Sequence, residues 1–558
     1  MNDIRRSVLW VIFGFCMVML WDKWQVYNGH KALFFPSGDK VEAQTPMSST
    51  QSGVTEIPQS TTALSSSQVI AGLDNKTKPV PSRKLIEIET NVLKLSFDSA
   101  GGNLVRAELL AHKDINHPGD NVVLFNNSAE RVYEAQSGLI SKDGITEYPT
   151  HKTVMLQTGQ TKFVDGEEKL TLKFESPEIN GIQLFKTYEI NKNKYDIIVN
   201  QSVVNKTDKE VAPLLYVQLM RDGNKPEGES SFYSTFTGPA IYTEEKKYQK
   251  IEFKDIDKDK TSFEKQSNEG YVAMVQHYFV SAWLLPSNMS RNYFAKKIDT
   301  NLYSVGMIGQ FPKVAPRSSE SLSAHLYVGP EEEKTLEAIY PGLELVKDYG
   351  WLTILAKPLY WLVDKLYGFL GNWGWSIVAL VVLLKAAFFW LNAQAYKSMA
   401  KMKAINPKIM EMRERLKDNP QQIQTEMMRI YREEKVNPMG GCLPIVIQIP
   451  VFIALYWVLL STVEMRNAPW LGWIHDLSAP DPYFILPFIM TGTSLLQTWL
   501  NPTPPDPVQA KMMWIMPLAF SVMFFFFPSG LVLYWLTNNI LSITQQWIIN
   551  KKLGVLNK

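Results

Sequence analysis

Hydrophobic and polar residues alternate with period two in the first large region of the chain. Short segments of this kind include KLIEIET, VLKLSF, KLTLKF and YDIIVNQSVV, and turn-forming stretches such as SAGGN, VDGE and INKNK lie between them. Such alternation places apolar side chains on one face of a β-strand. The pattern predicts an antiparallel all-β sandwich domain over residues 85–345.

Long apolar runs replace this alternation in the second region. They occupy residues 375–391, 443–462, 483–500, 512–527 and 531–549. Runs of this composition are typical of membrane-spanning helices. Another apolar run follows Arg5 and Arg6 within residues 1–28 and is typical of an uncleaved signal anchor. We therefore expect six transmembrane helices.

The intervening segments complete the predicted domain organisation. Residues 29–84 are rich in Ser, Thr, Gln and Pro, which predicts a flexible tether. Residues 346–374 mix aromatic, apolar and charged positions as an amphipathic helix at a membrane interface does. Residues 392–442 predict a charged helical hairpin. The remaining connections are a loop at 463–482, a loop at 501–511 and a basic tail at 550–558.

Basic residues set the predicted orientation. The 392–442 hairpin contains ten Lys and Arg residues, whereas the 463–482 loop contains only Arg466. Because basic loops stay on the cytoplasmic side, we expect the hairpin and both termini to be cytoplasmic and the β domain to be periplasmic. A bacterial inner membrane fits this arrangement. The net charge of +2 gives no indication of nucleic-acid binding.

Lys385 interrupts the apolar run 375–391 near its middle. A charge at the centre of a bilayer costs roughly 3 kcal/mol on insertion scales. None of the six apolar runs contains an Asp or Glu that would neutralise it. We interpret Lys385 as a functional cation that faces the bundle interior or a wet cavity. An ion pair and a side chain that reaches the membrane surface are the alternatives.

Polar residues in the last apolar run recur at spacings of three and four and so share one helical face. They are Trp535, Asn538, Asn539, Ser542, Gln545 and Gln546. Gln448 adds an amide from the run 443–462. Together with Lys385, this polar stripe predicts a hydrated recess inside the membrane. Hydrogen bonding that merely holds the helices together is the alternative.

Methionines recur in the predicted hairpin, at positions 399, 402, 410, 412, 427 and 428. Flexible methionines at an exposed site suit varied apolar partners. The alternative is that they only pack against one another.

Motifs of catalysis and cofactor binding are missing from the sequence. The seven histidines are scattered, the two cysteines are Cys16 and Cys442, and there is no Walker loop or GxSxG elbow. We expect a protein that is not an enzyme, with no catalytic residue, metal or cofactor. Two other classes stay open. One is a secondary transporter that uses Lys385 as its substrate or proton site. The other is a carbohydrate-active enzyme in the β domain.

Several stretches resemble the YidC/Oxa/Alb family of membrane protein insertases, in its Gram-negative form. They are GNWGWSIVALVVLLK, AQAYKSMAKMKAINPKI, KVNPMGGCLPIVIQIPVFIALYWVL, APWLGWIHDLSAPDPYFILP and FFPSGLVLYWLTNN. The resemblance implies a multi-domain membrane protein with a five-helix insertase core, an N-terminal anchor and a periplasmic β-sandwich. It also implies that the protein inserts nascent inner-membrane proteins through a hydrophilic groove and helps them fold.

The resemblance extends to individual residues. Members of the family usually have an arginine in the groove, and Lys385 occupies that position. The resemblance also implies that Tyr534 and Trp535 line the substrate path. With the amides of the polar stripe described above, the expected groove residues are Lys385, Gln448, Tyr534, Trp535, Asn538 and Asn539. The expected cytoplasmic contacts with substrate or ribosome are Met399, Lys401, Met402, Arg413 and Arg415. The partners implied are nascent membrane proteins, Sec translocon components, the ribosome and membrane lipids; no sequence-specific nucleic acid is expected.

Overall fold

The structure is a computed structural model. It describes residues 83–114, 117, 119–226, 235–416, 419–434, 443–501 and 507–552. The predicted anchor, all but the end of the predicted tether, and the last residues of the tail lie outside the described residues. Two compact units divide the rest: the first lies within 83–361 and 453–468, and the second within 362–452 and 469–552.

The first unit contains two antiparallel sheets. The first sheet runs, in spatial order, β1 (Leu85–Glu89), β2 (Leu93–Asp98), β3 (Asn103–Lys113), β4 (Asn121–Asn127), β5 (Val132–Ile140), β10 (Leu214–Asp222), β17 (Leu302–Gln310), β16 (Arg291–Asp299) and β13 (Gln266–Ser267). The second runs β12 (Lys247–Lys250), β11 (Gly238–Thr243), β14 (Tyr271–Gln276), β15 (Phe279–Leu284), β18 (Ser319–Pro330), β9 (Asp196–Asn205), β8 (Ile182–Asn191), β7 (Lys169–Glu175) and β6 (Leu156–Gly159). The predicted β-sandwich is confirmed, and the four segments that indicated it are β1, β2, β7 and β9.

Aromatic and aliphatic side chains from both sheets form the core of the sandwich. Phe97 of β2 contacts Phe174 of β7 and Tyr188 of β8, with ring centroids 6.1 and 4.8 Å away. Alternate residues of β8 are buried, as the period-two pattern requires. Burial of these apolar faces is what holds the two sheets together.

One inward position of β8 holds a cation rather than an apolar residue. The Lys186 side chain is fully buried, and its Nζ donates to the carbonyl oxygens of Gly101 at 2.6 Å and Ser137 at 2.7 Å. Gly101 has a φ of +70°, and a Cβ at this position would lie 2.2 Å from the His151 carbonyl oxygen, so the turn requires glycine. Burial lowers the pKa of Lys186 to about 7. Lys186 thus links β8 to β5 and to the β2–β3 turn.

The described chain also contains α-helices in both units. They are α1 (Phe253–Asp257), α2 (Glu333–Ile339), α3 (Thr353–Leu370), α4 (Trp373–Ala387), α5 (Phe389–Arg415), α6 (Pro420–Glu433), α7 (Leu443–Ser461), α8 (Ile485–Leu500), α9 (Pro507–Phe524) and α10 (Ser529–Lys552). Within the second unit, α10 packs against α4, α5 and α8. Side-chain caps start two of the helices: Asn372 accepts from the Trp375 amide and Asn419 from the Gln422 amide.

Two predicted boundaries are wrong. The segment 346–374 is not one helix: α3 ends at Leu370, where Gly371 has a positive φ and ends the helix, and Trp373 already begins α4. The run 375–391 is not one helix either, because α4 ends at Ala387 and α5 leaves it at an angle of 69°. Hydropathy alone does not register such a bend, since both sides of it are apolar.

No single described helix has both the length and the apolar composition to cross a membrane. The bent pair α4 and α5 meets those criteria together, and Gln448–Ser461, Ile485–Leu500 and Ala510–Phe524 are shorter apolar helices. The number of spans therefore stays a prediction.

Candidate functional site

Lys385 lies in the last turn of α4, next to the bend, and not in the middle of a straight helix as the apolar run predicts. It is half-buried, and its Nζ donates to the Ser542 hydroxyl of α10 at 2.8 Å. The described part of the chain offers it no carboxylate within ion-pair distance. A cation at this position also lies favourably at the negative end of the α4 dipole.

Ser542 provides one hydrogen-bond acceptor for the Lys385 ammonium. Its hydroxyl donates to the Asn538 carbonyl oxygen at 2.7 Å, one turn earlier in α10, and accepts from Lys385. An ammonium group has three donors, and this hydroxyl takes one of them. The pair therefore fixes the Lys385 side chain while it leaves donor capacity for a further acceptor.

Tyr534, Trp535 and Gln448 are three of the expected groove residues, and they lie close together. The Gln448 side chain of α7 donates to the Tyr534 hydroxyl at 3.0 Å. Phe452 lies against both aromatic residues, with ring centroids 6.0 Å from Tyr534 and 4.7 Å from Trp535. Phe524 of α9 contacts Trp535 from another direction at 5.3 Å. Tyr534 is buried and Trp535 half-buried, so α7, α9 and α10 share one aromatic cluster.

The rest of the polar stripe divides among different neighbours. Asn539 is buried and donates to the Ser494 hydroxyl at 2.9 Å and the Thr493 hydroxyl at 3.3 Å, both on α8. Gln545 donates to the Phe389 carbonyl oxygen of α5 at 3.2 Å. Gln546 donates to the Asn501 side chain at 3.0 Å. These three amides join helices, which is the alternative that the sequence left open.

Asn538 differs from them. It is half-buried, and among the described residues its side-chain amide makes no hydrogen bond. Thr493 and Ser494 were not predicted as partners of the stripe. The signal was present in the tetrapeptide TGTS, because small hydroxyl residues in an apolar helix are typical of interhelical contacts.

The cytoplasmic residues of the prediction lie on α5, which packs against α6 through an apolar cluster. Its buried centre is Ile405, Ile409, Met412 and Tyr431, with Met402 and Met427 packed around it. Met410 and Met428 are 52% and 45% exposed. Some methionines thus only pack together, while others face outward.

The basic positions of this hairpin are largely exposed. Lys401 and Arg415 are exposed, and Arg413 is half-buried. The predicted contact residue Met399 is also half-buried. Lys408 pairs with Glu434 of the segment after α6 at 2.6 Å. In the described ranges, no group of three or more His, Cys, Asp or Glu residues is arranged to hold a metal ion.

Comparisons with known proteins cover nearly the whole chain. The family described as YidC periplasmic domain matches residues 85–362, and that described as 60Kd inner membrane protein matches residues 365–555. The membrane protein insertase YidC of Cupriavidus necator is 52% identical over 552 residues, which is 99% of this chain and 98% of that protein. The Ralstonia nicotianae insertase YidC is 51% identical and covers 100% of this chain and 99% of its own.

A crystal structure described as an active YidC insertase with the first transmembrane domain resolved is also similar. It is 19% identical, covers 83% of this chain and 92% of its own, and has a TM-score of 0.39. The two family matches and the full-length relatives show that this chain belongs to the YidC family of membrane protein insertases.

Proposed function

We propose that this protein inserts nascent membrane proteins into the bacterial inner membrane and helps them fold. The observation that carries the proposal is the environment of Lys385: a half-buried ammonium between apolar helices that bonds to one hydroxyl. The names of the relatives support the same function and give no support to a transporter.

Physical chemistry explains why an insertase needs such a residue. A polypeptide that enters a bilayer carries polar groups into hydrocarbon, and each unsatisfied group costs several kcal/mol. A hydrated recess with one positive charge lowers this barrier, most of all for acidic segments. Lys385 attracts such a segment transiently, and Ser542 keeps the ammonium in place between substrates.

The aromatic cluster forms the apolar wall of the same path. Trp535 and Tyr534 present ring surface at which a hydrophobic segment leaves the recess for lipid. Gln448, bonded to the Tyr534 hydroxyl, adds a polar group at this wall. Asn538 adds an amide that makes no side-chain hydrogen bond to the described residues. Asn539 supports the path indirectly, because its amide fastens α10 to α8.

On the cytoplasmic side, the hairpin of α5 and α6 receives the substrate. Its predicted contact residues are Met399, Lys401, Met402, Arg413 and Arg415, and the exposed Met410 and Met428 extend the apolar part of this surface. Ribosomes and Sec translocon components are the partners we propose here. No nucleotide hydrolysis is required, because partitioning of apolar segments and the membrane potential drive the reaction.

We propose a topology of six spans with both termini in the cytoplasm and the β domain in the periplasm. The positive residues of the hairpin support this orientation. The α4–α5 pair supports a bent second span, with Lys385 close to the bend.

Site-specific photocrosslinking tests the proposal. A photoreactive amino acid at Trp535 should capture a ribosome-bound nascent chain stalled during insertion. The matched control is Ile540, which lies on the same helix and is 47% exposed; a crosslinker there should capture lipid. Capture of the nascent chain at Ile540 and of lipid alone at Trp535 would contradict the proposed path.

A further inference from the structure

The second unit contains a cavity of about 460 Å³ away from Lys385 and the aromatic cluster. Three helices form its walls, with the residue after α8. Its lining residues are Lys403, Asn406, Pro407, Met410, Thr498, Trp499, Asn501, Met513 and Trp514. Cavities of roughly 300–1,000 Å³ are the usual size for sites that bind small ligands.

One wall of this cavity carries a lysine, which is the only charged side chain among the described lining residues. Lys403, Pro407 and Met410 follow one another at helical spacing, so they share one face of α5. Lys403 is half-buried, and no Asp or Glu of the described residues lies within ion-pair distance of it. No carboxylate occurs among the lining residues that the structure describes. The cavity is therefore electrostatically suited to an anion.

The opposite walls include two tryptophans from apolar helices. Trp499 is next to the last residue of α8 and is 65% exposed, while Trp514 lies in α9 and is 41% exposed. Tryptophan is enriched where a membrane meets water, because its ring is apolar and its N–H polar. A ligand in this cavity can contact the Lys403 ammonium, the amide and hydroxyl groups of Asn406, Asn501 and Thr498, and two indole rings.

We propose that this cavity binds the headgroup of an anionic phospholipid from the cytoplasmic leaflet. Lys403 pairs with the phosphate, and Trp499 and Trp514 contact the glycerol backbone and the first acyl carbons. A soluble phosphate compound could pair with Lys403 but would have no apolar part to contact the two indole rings. An acidic peptide could pair only one of its carboxylates with a basic residue of the described lining. The inference rests on the membrane location proposed above.

Binding of phosphatidylglycerol to the purified full-length protein tests this assignment. Native mass spectrometry in detergent would compare phosphatidylglycerol with zwitterionic phosphatidylethanolamine. A basic residue near an anionic lipid surface contributes about 1 kcal/mol, which is about a fivefold change in affinity. K403Q should therefore bind phosphatidylglycerol about fivefold more weakly, and K403R should bind it as the native protein does.

Lys397 provides the matched control. It is exposed on the same helix and does not line the cavity, so K397Q should leave lipid affinity unchanged. Equal affinities for the native protein, K403Q and K397Q would overturn the assignment, provided that K403Q has the native melting temperature. Competition by free glycerol phosphate at equal concentration would assign the cavity to a soluble phosphate. Crosslinking of a nascent chain at Trp514 that phosphatidylglycerol does not displace would assign it to a peptide.

These outcomes are separate from those of the insertion proposal. Lipid binding is read in detergent without any substrate, and Lys403 is not among the groove residues. If the cavity does not bind lipid, crosslinking of the nascent chain at Trp535 should be unchanged. If the insertion proposal is wrong, that crosslinking should be absent, while K403Q should still lower the lipid affinity.

Discussion

Lys186 and Lys385 are both lysines in apolar surroundings, but they differ in burial and in their hydrogen-bond acceptors. In the sandwich, Lys186 is fully buried and donates to two backbone carbonyls. In the helical unit, Lys385 is half-buried, and the Ser542 hydroxyl is its one acceptor among the described residues. A buried cation with several fixed acceptors is part of the fold. One with a single neutral acceptor keeps donors for a group outside the chain.

The largest expected effect is on insertion when the charge of Lys385 is changed. Lys385→Glu should slow insertion by at least about tenfold, since a loss of 1.4 kcal/mol at the barrier already gives that factor. Lys385→Ala should slow it less, and Lys385→Arg should keep it. Reconstituted proteoliposomes with a substrate that has an acidic translocated segment provide the measurement. Equal insertion rates for all three variants would contradict a role for the Lys385 charge in insertion, and with it the functional difference between Lys385 and Lys186.

Lys186 should affect stability instead, in a way that depends on pH. The folded state has a pKa of about 7 and an unfolded lysine about 10.5, so both states are charged below pH 7. Between pH 7 and 10.5 only the unfolded state keeps the proton, and stability rises with pH by up to about 1.4 kcal/mol per unit.

Lys186→Met should lack this rise. The free energies of unfolding of native and variant protein can be compared by pulse proteolysis in urea at several pH values, with cleavage read within residues 83–361. The difference between the two proteins isolates Lys186 from the other titrating groups. The same pH slope in both proteins would show that the buried lysine does not titrate in this window.

A smaller effect separates the two neighbouring asparagines of α10. Asn539→Ala removes bonds to Thr493 and Ser494 and should lower stability by about 0.6–2 kcal/mol. Asn538→Ala removes no hydrogen bond of its side chain to the described residues and should leave the melting temperature unchanged while it slows insertion. Equal loss of stability in both variants would contradict the division of the polar stripe into bonding and path-lining residues.

The smallest expected effect comes from the sandwich as a whole. Deletion of residues 85–330 should leave growth nearly unchanged, because all the proposed groove residues belong to the second unit. Complementation of a depletion strain, with expression checked by immunoblot, provides the measurement. Loss of growth despite normal expression would mean that the sandwich takes part in insertion itself.

Sequence patterns predicted the elements better than the contacts between them. Period-two alternation is a local property of each strand, so β1, β2, β7 and β9 were recognisable one at a time. Lys186 occupies an inward position of the same kind of pattern, in IQLFKTYEIN. Lys186 was not singled out from the sequence, although its inward position could have indicated a buried lysine. The carbonyls that it binds come from distant segments, and no local pattern reveals them.

The helical unit shows the same limit. Spacing correctly placed Trp535, Asn538, Asn539 and Ser542 on one helix. It could not predict which residue of a neighbouring helix each of them contacts. Lys385 was expected at the middle of a straight apolar run, whereas it lies beside a bend. Residues on both sides of that bend are apolar, and a change of direction leaves no mark in hydropathy.

Accessibility of position 385 to water tests whether Lys385 faces a hydrated recess. In a chain with Cys16→Ser and Cys442→Ser, Lys385→Cys should react with a membrane-impermeant, charged thiol reagent added from the cytoplasmic side of inverted vesicles. Leu383→Cys is the control, because Leu383 is 45% exposed on the same helix and should face lipid. We predict modification at 385 and none at 383. Modification at 383 alone, or at neither position, would show that no water reaches position 385 and would contradict the hydrated recess.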